Sequence, residues 1–206
     1  MPQLTKLDVA RHQLGTALDL FIRDRDPISV QCLACGGGEL IEAIATMQNV
    51  RPFTSHILEV IPEIDLPRIR HLQKQFWNAF KHLNKRDGQQ RDDEATLAAF
   101  DDTKNDAALF IGWYDYCEVT GRLPLPVQVF QIWYYALNEE KLSPESDFDA
   151  IRSVFPAIMM ADRTEQKRKL RRTVEKYRHD KKILANPQTE DGPLCFPAST
   201  FKQSCR

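Results

Sequence analysis

The sequence lacks any sustained strand pattern. Nowhere among its 206 residues does an alternation of apolar and polar positions persist, as a half-buried strand would need. It has no internal repeat. No apolar run approaches the roughly 18 residues of a spanning helix, and no charged-then-apolar leader opens the chain, so a membrane is not an expected partner. Cysteine is sparse and odd in number, five in all. Only Cys32 and Cys35 lie close together. Without a disulfide-like spacing, reduced thiols and a cytoplasmic protein are expected. Net charge is only -1, which excludes a polycation that binds nucleic acid through its whole surface.

What remains is a globular composition, 42% hydrophobic and 28% charged, arranged with helical periodicity. Leu7, Ala10, Leu14, Leu18 and Phe21 share one face of a first helix, with His12 opposite them as a solvated histidine. Asp26 and Pro27 form a cap and first turn for a second helix reaching about Met47, striped by Val30, Leu33, Gly37, Leu40, Ile44 and Met47. A third helix is predicted from about Pro67 to Lys85, with Ile69, Leu72, Phe76, Phe80 and Leu83 inward. A fourth covers about Asp102 to Thr120, stopped by Gly121, and a fifth about Pro126 to Glu140. The aromatic runs "FIGWYDY" and "FQIWYY" sit at helical steps and read as core.

The fold expected is therefore all-α: an antiparallel helical bundle of about five main helices with a basic C-terminal helix and a coil tail. "KLSPES" suggests a boundary, giving a bundle domain over residues 1–142 and a C-terminal extension over 143–206. That extension carries the basic helix 164–184 and a coil tail with three prolines.

"QCLACGGGELIEAIA", residues 31–45, is the stretch that most resembles a chemical motif. A structural zinc site needs four ligands, and no second pair accompanies Cys32 and Cys35. A reactive dithiol belongs at the exposed start of a helix after a strand. A phosphate loop needs its glycines before the helix, where N–H groups are unbonded. Here the glycines follow more than two helical turns. The structural reading remains: Gly36, Gly37 and Gly38 let another helix, the first or third, approach closely, or they kink this one. No metal or cofactor is called for. Glu39, Glu42, Asp115 and Glu118 read as solvated helix carboxylates.

The polar face of the third helix carries Asn78 and His82 at i, i+4, with Lys74, Lys81 and Lys85 nearby and His71 at its edge. It suits a phosphate-bearing partner, a second copy of the same surface, or plain solvation. Residues 163–182 hold ten Lys/Arg against three Asp/Glu. Arg168, Arg171, Arg172 and Arg178 could meet RNA or DNA phosphates, or the helix could dock on the acidic remainder of the chain or stay solvated.

The order of features over residues 5–140 resembles the HEPN superfamily of α-helical bundles, found in prokaryotic RNases and toxin–antitoxin systems. Its active members carry R-N-x-x-x-H on a helix. Asn78 and His82 match, and Trp77 stands where the family has Arg. The resemblance implies a homodimer in an RNA-related or defence context. In it His82 would serve as acid/base or phosphate-contacting group, Asn78 would orient the phosphate, and Lys81 and Lys85 would supply charge. The missing Arg argues against metal-independent cleavage and leaves a non-enzymatic dimerisation or interaction module as the alternative.

Overall fold

The chain enters its first helix through a capping box. Thr5 Oγ1 accepts from the Asp8 N–H, and the Asp8 carboxylate accepts from the Thr5 N–H. In the computed structural model, which describes residues 4–197, ten α-helices follow: α1 (Lys6–Ile22), α2 (Pro27–Met47), α3 (Phe53–Val60), α4 (Leu66–Lys81), α5 (Glu94–Ala98), α6 (Lys104–Thr120), α7 (Leu125–Leu137), α8 (Phe148–Val154), α9 (Arg163–Tyr177) and α10 (Lys181–Leu184). Among the described residues there is no strand, so the protein is all-α. The caps are local and chemical. Asp26 accepts from Ile28 and Ser29, Asp65 from Arg68, Asp162 from Glu165, and Gly121 ends α6 at φ 69°.

The core is built from α1, α2, α6 and α7. Leu14, Leu18, Phe21, Ile41, Leu109, Trp113, Phe130 and Trp133 are fully buried, each contributing about 1.5–3 kcal/mol by leaving water. The expected close approach occurs at the glycines, and the first helix makes it. A Cβ on Gly37 would lie 2.8 Å from Leu14 Cγ and 3.1 Å from the Ala10 carbonyl oxygen. A Cβ on Gly112 of α6 would lie 2.6 Å from Leu14 Cδ2. Leu14 thus fills a socket between two glycines.

Helix directions follow from who meets whom. Gln13 and Leu14 meet Gly36 and Gly37, so α1 and α2 are antiparallel. Asn105 donates to the Pro27 carbonyl, and Gly112 faces Gly38. Hence α2 and α6 run parallel, which departs from the all-antiparallel order. The intervening α3–α5 carry the chain back to the start of α2. By length and composition α2 is also apolar enough to cross a membrane, the one such helix among the described residues. Reading apolar runs alone missed it because Glu39 and Glu42 interrupt the run.

Two expected helices end earlier than their period suggests, and some residues expected inward are exposed. The third predicted helix, α4, stops at Lys81, and Leu83 is 74% exposed. Beyond it the Arg91 N–H donates to the Leu83 carbonyl and the Lys85 N–H to the Gln89 carbonyl, a local turn that replaces helical bonding. Met47 leaves the α2 stripe for solvent, and Leu72, expected inward, is 44% exposed. The basic helix breaks after Tyr177, because Asp180 caps a separate α10 by accepting from Lys182 and Ile183.

The hydrophobic core continues past residue 142, through Phe155, Ile158 and Leu170. The Trp133 Nε1–H donates to the Gln166 carbonyl. Among the described residues no helix follows α10, yet this segment is docked. Arg11 pairs with Glu190 at 2.8 Å and donates to the carbonyls of Pro193 and Leu194. The Tyr116 hydroxyl donates to Glu190. His12, expected in water, is half-buried edge-on against Phe196. The last tail residues, including Cys205, lie outside the described residues.

Candidate functional site

The inner faces of α2 and α6 carry matching stripes of small residues ending in an acid: Ala34, Gly38, Glu42 on one, Ala108, Gly112, Asp115 on the other. Steps of three and four residues place each set on one side of its helix. Leu14 fills the space behind Gly112, but nothing large fills the space in front. A cavity of about 420 Å³ results, roofed by α4 through Leu72 and Phe76 and closed at one end by Thr54 of α3. It extends along α2 from Gln31 to Glu42, about 16 Å at 1.5 Å per residue. It is therefore a narrow slot. The roof is lightly held, since only Ile69 and Phe76 of α4 are buried.

Polar groups occupy both ends. At the α3 end Asp115 is buried, 1% exposed, and accepts from the Phe53 N–H at 2.6 Å. Its pKa is pushed up to about 7: burial is the main cause, Glu42 and Glu118 add to it, and the Phe53 N–H opposes it. Glu42 accepts from the Thr54 hydroxyl at 3.1 Å. Among the described residues neither Asp115 nor Glu42 has an ion-pair partner. At the far end Gln31 is 2% exposed and donates to Cys35 Sγ at 3.1 Å. Among the described residues Gln31 Oε1 and Gln73 Nε2 have no hydrogen-bond partner. At the rim Lys74 pairs with Glu39 at 2.8 Å. A carboxyl titrating near neutrality in an apolar slot can hold a proton, accept one, or anchor a cation.

Cys35 lines the slot as a packed thiol. Burial pushes its pKa up to about 12, the reverse of what a reactive thiolate requires. Cys32 and Cys35 are both free. Among the described residues no group of three or more His, Cys, Asp or Glu is placed to hold a metal ion.

The residues singled out by sequence are dispersed. His82 is the C-cap of α4, in extended backbone at φ -123° and ψ 115°, with its N–H donating to the Asn78 carbonyl. It is exposed and borders a shallow depression shared with Arg91, Asp93 and Leu97. Asn78 is half-buried. Lys81 lies 3.4 Å over the Trp77 ring, Lys85 is exposed, and Lys74 belongs to the slot's rim. On α9 Arg168 pairs with Glu165, and Arg178 just past its end pairs with Glu175, while Arg171 and Arg172 face solvent. Arg163 and Lys167, at the start of the basic helix, dock on the chain's own acids: Arg163 meets Asp102 and Asp106, and Lys167 meets Asp24 and Asp102.

From the sequence, Asp115 and Glu42 read as solvated helix carboxylates and Gln31 and Gln73 stand out in no way; Asp115 is instead buried and Glu42 half-buried. The two small-small-acid stripes are the signal that could have found them. No protein-family model, no curated protein and no solved structure matches the chain.

Proposed function

We propose that this protein binds a small organic molecule in the slot between α2, α4 and α6. One observation carries the reading: the slot is lined by polar groups that the protein leaves either without a hydrogen bond or without a countercharge. Gln31 Oε1 and Gln73 Nε2 have no hydrogen-bond partner, and Asp115 and Glu42 have no cation among the described residues. Buried polar groups in native proteins are nearly always satisfied, and each orphan costs about 1–3 kcal/mol. A volume of about 420 Å³ is in the range of small-molecule sites. The test is a fragment screen by thermal shift on wild type and Ala108→Phe, which fills the slot. A ligand at about 100 times its Kd stabilises by about 2.7 kcal/mol, a rise in Tm of about 5–10 °C for a chain of this size. Hits should vanish in a folded Ala108→Phe protein. Equal shifts in both proteins, or no hits at all, would refute the reading.

A second reading rests on a separate observation. Arg171, Arg172, Lys176 and Lys182 are exposed and have no ion pair among the described residues. They suit a phosphate backbone, and with the exposed His82 they are what supports a HEPN-like, RNA-related role. Arg171→Glu with Arg172→Glu should flatten the salt dependence of RNA binding by about two in slope. An unchanged slope would remove this reading.

A further inference from the structure

The slot's charges are unevenly answered. Lys74 is held by Glu39 at the rim. Lys104 lies eleven residues before Asp115 on α6, about 16 Å down the axis, and pairs with Asp101. Arg51, the cation nearest the α3 end in sequence, is paired with Glu59. Glu42 and Asp115 therefore meet from two different helices with Glu118 a turn beyond, and nothing positive among the described residues answers them. An anionic ligand group would be repelled there. A metal ion would find two carboxylates and one hydroxyl, short of the six or more oxygens that hard cations take without keeping several waters. Between the ends the walls are apolar and narrow, formed by Gly38, Gly112, Ala108 and Leu72.

We infer that the ligand is a slender molecule with an ammonium or amidinium group at one end, seated between Glu42 and Asp115, and an apolar body lying over Gly38 and Gly112. This rests on the slot being the binding site. The cation would donate to both carboxylates, and charge-assisted bonds of that kind are shorter and stronger than neutral ones. Burial holds the empty Asp115 carboxyl well above its ordinary range, and a cation beside it would reverse that.

Three probes of one shape separate the outcomes: n-hexylamine, n-hexanol and hexanoate, titrated into the full chain and followed by amide chemical shifts. Hexylamine should bind about 10–100-fold more tightly than hexanol, with the largest shifts at Gly38, Ala108 and Gly112, and hexanoate weakest. Asp115→Asn, which keeps an acceptor for the Phe53 N–H, and the more exposed Glu42→Gln should each abolish the preference for the amine while hexanol affinity stays. If hexanol or hexanoate bound as well as hexylamine, the cationic ligand would be overturned and the slot would stand. If none of the three shifted the slot's resonances, both ideas would fall.

Discussion

Replacing Asp115 with Asn should stabilise the protein at alkaline pH, an unusual direction for a buried polar position. The carboxyl is 1% exposed and titrates near 7 instead of the ordinary 3.8. The native state therefore binds a proton more tightly than the unfolded chain. Between those two values the folded form holds more protons, so stability falls as pH rises, from about pH 4 to about pH 7, and then levels. At about 1.36 kcal/mol per unit the whole loss is about 4 kcal/mol. The segment between about pH 5 and about pH 8 is about 2–3 kcal/mol. Asn has the same shape, keeps an oxygen for the Phe53 N–H, and does not titrate. Urea unfolding followed by fluorescence of the fully buried Trp113 and Trp133 gives ΔG for both proteins across this range. The difference, mutant minus wild type, should grow by about 2–3 kcal/mol from about pH 5 to about pH 8 and favour the mutant at the alkaline end. Parallel profiles would show that Asp115 titrates normally, and would remove the electrostatic basis of the candidate site.

The glycines make a paired prediction. Gly37→Ala should destabilise by about 1–3 kcal/mol despite the gain in helix propensity, because the added Cβ meets a Leu14 that Gly112 already confines. Gly38→Ala meets nothing nearer than 3.8 Å and should be neutral or up to about 1 kcal/mol stabilising; thermal unfolding of both proteins checks the order. Lys167→Met should destabilise by about 2 kcal/mol, since Lys167 is 2% exposed and bonds Asp24 at 2.7 Å and Asp102 at 3.0 Å. The Lys167 bond holds the Asp24 carboxyl below its ordinary value. Its share of stability is present above the unfolded carboxyl's pKa and is lost as acid protonates it, so the mutant should show a shallower acid limb in the same assay.

Local chemistry made much of the fold readable. Asp26 with Pro27, and Gly121, mark helix ends by satisfying backbone groups within a few residues, so α2 and α6 were legible from the chain alone. The end of α4 was not. Phe80 and Leu83 continue its period, but the competing partners of that backbone are Gln89 and Arg91, on the far side of a turn that periodicity does not see. Asp115 was illegible for a stronger reason. A lone acid on a helix is usually solvated, and its burial depends on where α3 and α4 come to rest. The basic helix shows the same limit. Its charge was plain, but its division between Arg163 and Lys167, which are spent on Asp24, Asp102 and Asp106, and Arg171 and Arg172, which are not, is a property of docking.

The three consecutive glycines show how one stretch serves both packing and site. Successive residues of a helix point about 100° apart, so Gly36, Gly37 and Gly38 open three different directions. Gly36 and Gly37 face α1, where Gln13 lies against the first and Leu14 against the second. Burying Leu14 is worth about 1.5–3 kcal/mol, which offsets much of the roughly 1 kcal/mol that each glycine costs the helix. Gly38 faces α6, where Gly112 matches it. Close approach there needs only those two glycines. The small-residue stripes run further, through Ala34 on α2 and Ala108 on α6, where no large side chain descends to fill the gap. Packing would favour a leucine at either position, as it does at residue 14. A stripe longer than its helix crossing requires, ending in two unanswered carboxylates, is better explained by something that must fit than by something that must hold the helices together.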